Sequence, residues 1–115
     1  MKKNIYDVLR ENNVVILDIR TYDEFCSGHI CGAKLVSTPL PPLNNNQLHT
    51  LRKKLKEIVE KNPYKKFAVY CKKGIRAGLT VNILKSMNIN VVSLGGVLDP
   101  ALRDYIKENA CYCYN

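Results

Sequence analysis

Two short, unbroken apolar runs constrain this chain more than any other feature: Val14-Val15-Ile16-Leu17 and Phe67-Ala68-Val69-Tyr70. A strand with one wet face alternates apolar and polar residues, whereas a continuous run has to be covered on both faces. Asn90-Val91-Val92-Ser93-Leu94 reads as a further strand and Lys34-Leu35-Val36-Ser37 as a short one. Between these runs lie segments with helical spacing. Strands alternating with helices predict an α/β domain whose central, mostly parallel sheet of about five strands carries helices on both faces.

The helical segments are marked by their own chemistry. Thr21 can N-cap a helix with Glu24 placed three residues on for a capping box, and Gly28 ends it. From residue 48 onward, Leu51, Leu55, Ile58 and Val59 share one face while Arg52, Lys53, Lys56, Glu57 and Glu60 take the other. A third apolar-faced helix spans 79–87. Asp99 and Pro100 form an N-cap and N1 pair ahead of Ala101, Leu102, Tyr105 and Ile106. Ile5, Val8 and Leu9 mark a short helix at the start. Pro39, Pro41 and Pro42 followed by three asparagines make the clearest loop, a surface connection rather than a domain boundary.

With 115 residues, 46% of them hydrophobic, the chain fits one domain spanning 1–115, with a core of about 5–108 and a frayed tail at 109–115. Eighteen basic against ten acidic residues leave a net charge of +8, which favours anionic partners without identifying them. No stretch approaches a membrane span, and Met1-Lys2-Lys3-Asn4 has no apolar signal core behind it. The expected location is therefore the cytoplasm, with no membrane partner. Five cysteines, an odd number, argue against a closed disulfide framework and for free thiols in a reducing compartment.

Cys71 opens the loop Cys71-Lys72-Lys73-Gly74-Ile75-Arg76 between an apolar strand and a helix. The carboxyl end of a strand ahead of a helix N-terminus is where α/β sheets place their ligands. Successive N–H groups in such a turn can hold an anion, and the same field favours thiolate over thiol. Gly74 supplies a backbone with φ > 0 or a close approach to that anion. Lys72 and Lys73 could steer an anionic donor, or be solvated surface charge.

Two segments together resemble the rhodanese-like domain family. The first is Asp18-Ile19-Arg20 followed by Glu24-Phe25 and Gly28-His29-Ile30-Cys31-Gly32-Ala33. The second is the Cys71 loop followed by Leu94-Gly95-Gly96. The resemblance implies sulfurtransferase chemistry in which Cys71 alternates between thiol and persulfide, and amides of Lys72, Lys73, Gly74, Ile75 and Arg76 cradle the terminal sulfur. It implies structural roles near the site for Asp18, Arg20 and His29, and a loop-closing role for Arg76. Three positions depart from the family pattern: Cys31 stands in place of a proline, Ala77 in place of a serine, and Leu98 near the place of a tryptophan.

The expected function is transfer of sulfane sulfur from a donor such as thiosulfate to a thiol acceptor, which could be a protein, with no metal or organic cofactor. Four residues separate Cys71 from Arg76, where the family's phosphatase branch has five; the shorter ring suits a sulfur better than a tetrahedral phosphate. The rivals are a phosphatase or arsenate reductase on the same fold, and a non-catalytic binding module. Among the other candidates, Cys26 reads as packing and His49 as exposed. Cys111 and Cys113 lack a second pair to complete a zinc site, though a redox or sulfur-relay role stays open. The Lys53-Lys54 region could touch phosphates, but no base-reading aromatic cluster accompanies it, so nucleic acid is not an expected partner.

Overall fold

In the computed structural model, which describes residues 5–113, the apolar runs become strands and the intervening segments become helices. The order is α1 (Ile5–Leu9), β1 (Val14–Asp18), α2 (Tyr22–Cys26), β2 (His29–Ile30), β3 (Lys34–Leu35), α3 (Asn45–Lys61), β4 (Lys66–Cys71), α4 (Ile75–Ser86), β5 (Val91–Gly96), α5 (Pro100–Asn109) and β6 (Ala110–Cys111). The first four residues, part of the segment read for a signal core, lie outside the described residues.

The main sheet has four strands in the order β3-β1-β4-β5, one fewer than about five, and every neighbouring pair is parallel. The remaining strands, β2 and β6, pair antiparallel in a separate ribbon. The chain leaves β1 toward one edge of the sheet and β4 toward the other. The carboxyl ends of these two strands therefore flank the switch point, where a parallel sheet opens a crevice.

β4 is covered on both faces, as its unbroken apolar run requires. Phe67, Val69 and Cys71 pack with Leu51 and Leu55 of α3 and with Ala77, Ile83 and Leu84 of α4. Tyr70 points the opposite way, toward Ile30 and Leu102, with Leu9, Tyr105 and Ile106 against them. Leu55, Val69 and Leu84 are completely buried, each side chain contributing roughly 2 kcal/mol of transfer free energy.

Local signals explain the helix ends. Thr21 and Glu24 form the expected capping box, and Asn44 with Gln47 forms a second one at α3. Asp99 occupies the N-cap position of α5 but makes no side-chain cap; its carboxylate instead accepts the Gly96 N–H at 2.9 Å.

The end of the chain departs most from expectation. The described part of the segment expected to fray, residues 109–113, folds back so that Cys111 pairs with His29 and Ala110 with Ile30, and residues 114–115 lie outside the described residues. This brings Cys113 to Cys26 and Cys111 to Cys31, with Cα separations of 4.5 and 5.0 Å, and both pairs are disulfides. The expectation of five free thiols is thus overturned; only Cys71 is free. The odd count reflects four cysteines paired in space plus one reserved, a pairing invisible while the tail is taken as unstructured.

Candidate active site

Cys71 is the last residue of β4 and is 1% exposed. Its Sγ accepts N–H groups from Gly74 at 3.0 Å and Ala77 at 3.3 Å. Both dipoles point at the sulfur from the start of α4, an arrangement that stabilises negative charge there. Gly74 makes the turn possible. It takes φ 98°, a left-handed conformation at the N-cap of α4, which costs other residues more than glycine.

The loop rests on the segment after β5. The pairing of β4 with β5 shifts register between Val69 and Tyr70, so that Cys71 comes to lie beside Gly96. Val97 then donates its N–H to the Cys71 carbonyl at 2.8 Å, and Leu98 to that of Lys72 at 3.2 Å. A side chain at Gly96 would strike the Lys72 carbonyl oxygen and come within 2.7 Å of the Lys73 carbonyl carbon. Gly96 is therefore a requirement of close approach, with the loop lying directly against the strand end, whereas Gly95 takes φ 86°, a left-handed conformation.

Arg76 is buried and turned into the protein. It donates to Glu24 through Nη1 at 2.9 Å and Nη2 at 3.2 Å, and to the Thr38 carbonyl at 3.1 Å. Partial burial alone would raise the Glu24 carboxyl. Hydrogen bonds from Arg76 and from the Thr21 backbone and hydroxyl, with the arginine's charge, instead hold it down at about 2.

Asp18 and Arg20 form a separate buried pair at the end of β1. Nε and Nη2 of Arg20 meet both carboxylate oxygens at 2.7–3.1 Å, and Nη2 also donates to the Gly28 carbonyl at 2.7 Å. Burial lowers the guanidinium pKa, but the hydrogen bond to Asp18 and its charge, with smaller effects from Tyr70 and Glu24, leave it above its ordinary value. Tyr70 completes this cluster: its hydroxyl accepts the Ile30 N–H at 3.0 Å and hydrogen-bonds Asp18. Burial first, then the Asp18 charge, pushes the phenol well above its usual range.

His29 is not brought to the thiol pocket. It is buried in the β2–β6 ribbon, stacks on Phe25 with ring centroids 3.6 Å apart, and its Nδ1 donates to the Phe25 carbonyl at 2.8 Å.

A cavity of about 350 Å³ opens over the thiol, lined by Leu40, Pro41, Cys71, Lys72, Lys73, Ile75 and Arg76. Lys72, Lys73 and Ile75 are exposed around its mouth. A larger hollow of about 600 Å³ lies at the opposite end of the strands, lined by Glu11, Asn13, Lys66 and Asn90 among others, and contains no cysteine. Among the described residues no group of His, Cys, Asp and Glu is placed to hold a metal ion, and no helix is long and apolar enough to cross a membrane.

The sequence marks Glu24 as a capping residue and part of the family signature, and the proline loop as a surface connection. Glu24 caps α2 and braces Arg76 as well, while Leu40 and Pro41 form a wall of the cavity. An arginine next to a buried thiol needs an acceptor, and that was the available signal for Glu24; nothing local marks Leu40 or Pro41.

The family model described as Rhodanese-like domain matches residues 2–99. Among solved structures, the chain is similar to the N-terminal domain of a protein provisionally named for ATP/GTP binding, from Clostridium difficile 630. That match has 25% identity and a TM-score of 0.63, covering 89% of this chain and 95% of that one. A rhodanese-related protein from Thermoplasma volcanium matches with 21% identity and a TM-score of 0.60, covering 87% and 85%. No curated protein matches the chain at a significant level.

Proposed function

Because the chain belongs to the rhodanese-like domain family, we propose that it is a sulfurtransferase that carries sulfane sulfur as a persulfide on Cys71. The observation that carries this reading is the pair of N–H groups from Gly74 and Ala77 on the Cys71 sulfur, beneath a small cavity. Two amide N–H groups aimed at the sulfur stabilise the negative charge it carries as it attacks. With thiosulfate as donor, the thiolate attacks the outer sulfur. The S–S bond of the donor breaks and sulfite leaves with the bonding pair, giving the Cys71 persulfide anion. A thiolate acceptor, or cyanide in an assay, then takes the terminal sulfur and restores the Cys71 thiolate.

Roles follow for the neighbours. The amides of residues 72–76 hold the terminal sulfur, and Lys72 and Lys73 draw the anionic donor to the mouth. Arg76 fixes the loop, because three of its five N–H donors are directed at Glu24 and the Thr38 carbonyl. Asp18, Arg20 and His29 support the frame. An arginine so engaged favours sulfur over phosphate, since a phosphatase would direct it at the anion. Partners are a small-molecule sulfur donor and a thiol acceptor, free or on a protein.

The test is the intact mass after incubation with thiosulfate, for wild type and Cys71→Ser. A thiol-reducible gain of about 32 Da on wild type alone supports the reading. No gain from thiosulfate, mercaptopyruvate or persulfide donors, with Cys71 confirmed reduced, rejects it. Turnover of a phosphate ester or arsenate would then assign the phosphatase chemistry instead.

A further inference from the structure

We infer that Cys26, Cys31, Cys111 and Cys113 form a thiol–disulfide exchange site, with a dithiol reductant or small disulfide as its substrate, whose state sets how firmly Glu24 holds Arg76. Two bridges join the same pair of segments. Cys31–Cys111 and Cys26–Cys113 both tie residues 26–31 to the returning tail, beside the ribbon in which His29 faces Cys111. Cys31 is exposed, so an incoming thiolate can reach its sulfur.

The route to Cys71 is short. α2 has five residues and buries none of them fully, too few for a helix to persist on its own. It is held by its N-terminal capping box, by the stack of Phe25 on His29, by the Glu24–Arg76 pair, and by Cys26 at its final position. Cys26 lies two residues beyond Glu24 and further accepts the Cys113 N–H on its carbonyl at 3.3 Å. Arg76 in turn precedes Ala77, whose N–H points at the Cys71 sulfur. Opening the bridge at Cys26 frees one end of the helix that carries Glu24, and so loosens the turn that cradles the thiol.

The exchange balances as an ordinary two-electron step. A thiolate of the reductant bonds to Cys31 Sγ, and the Cys31–Cys111 bond breaks with its pair leaving on Cys111, which takes a proton. The reductant's second thiolate then closes its own disulfide and expels Cys31 as a thiol. Cys26–Cys113 opens the same way, and a small disulfide such as oxidised glutathione reverses both steps.

The experiment compares the full chain after oxidised glutathione with the chain after dithiothreitol, each freed of reagent. Alkylation and peptide mapping give the pairing, and amide hydrogen exchange gives the coupling. The oxidised protein is expected to be about 4 Da lighter, with the four cysteines protected as 26–113 and 31–111 and Cys71 left to alkylate. Reduction is expected to speed exchange at least about threefold in residues 21–28 and 71–77 as well as in the tail. Cys31→Ser/Cys111→Ser, which keeps the bridge at Cys26, should hold the loop at the oxidised rate. Cys26→Ser/Cys113→Ser should reproduce the reduced rate, and if that variant does not fold, reduction of wild type decides alone. Any other pairing, faster exchange confined to residues 109–113, or one zinc ion per chain held by the four thiolates in the purified protein overturns the inference. No readout needs sulfur transfer, so the two proposals fail separately.

Discussion

Glu24 and Arg76 stand 52 positions apart in the chain and meet through two hydrogen bonds, at 2.9 and 3.2 Å, one from each guanidinium nitrogen to each carboxylate oxygen. The pair joins the segment after β1 to the first turn of α4, and so ties the ends of the two central strands together over the switch point. The tie lies one residue from the thiol, because the next residue, Ala77, donates its N–H to the Cys71 sulfur.

Glu24→Gln keeps the shape but leaves a buried guanidinium facing a neutral amide. Loss of a charged hydrogen-bond partner predicts a destabilisation of about 1–3 kcal/mol at neutral pH. Urea midpoints of wild type and variant measure it, and slower persulfide formation is expected alongside.

The same pair sets a pH dependence. Glu24 is held at about 2 against an unfolded value of 4.5. A depressed acid stabilises the fold above its unfolded value, and that contribution is lost as pH falls from 4.5 through about 2. The stability gap between wild type and Glu24→Gln should therefore be full at pH 6 and narrow steadily as pH falls below 4.5. A gap unchanged at pH 3 would show that charge is not the source.

Gly96→Ala places a methyl group against the Lys72 carbonyl and within 2.7 Å of the Lys73 carbonyl carbon. Both neighbours are backbone, so the loop has to move. The expected cost is about 1–3 kcal/mol of stability. A fall of at least about tenfold in persulfide formation should accompany it, since small displacements of positioned groups are expensive in rate. Single-turnover sulfite release on folded protein, checked by circular dichroism, reads the second effect.

Tyr70→Phe removes the acceptor of the Ile30 N–H and the hydrogen bond to Asp18 in a completely buried site. An orphaned N–H and a weakened Asp18–Arg20 cluster predict a loss of about 1–3 kcal/mol, measured by thermal or urea unfolding.

The disulfides close loops of 80 and 87 residues. Closing one loop of that length lowers the unfolded chain's entropy by about 4–5 kcal/mol at room temperature. The second bridge lies close to the first in both segments and adds less. Reduction should lower the urea midpoint accordingly, while Cys31→Ser/Cys111→Ser should keep most of the stability.

Several parts of the molecule were legible in the residues because a local pattern has a local physical cause. The run 67–70 reads as a doubly covered strand because every position is apolar, and Gly74 reads as a special turn because a positive φ favours the residue without a Cβ. The box of Thr21 and Glu24 spans three residues and needs no tertiary context. The strand count was less legible, because the short segment at His29–Ile30 joins the returning tail instead of the main sheet.

The sequence by itself determined a parallel α/β frame, and a cysteine loop between a strand end and a helix start. Periodicity, turn chemistry and one motif are all short-range, and each survives whatever the rest of the chain does. Tertiary structure decided what Glu24 holds, which loop walls the cavity, why Gly96 has no room for a side chain, and how four cysteines find partners more than 80 residues away or at 80 itself. Those are meetings between distant segments, fixed by the order of strands in the sheet and by the return of the tail along β2. No residue carries a local sign of the partner that folding will bring to it.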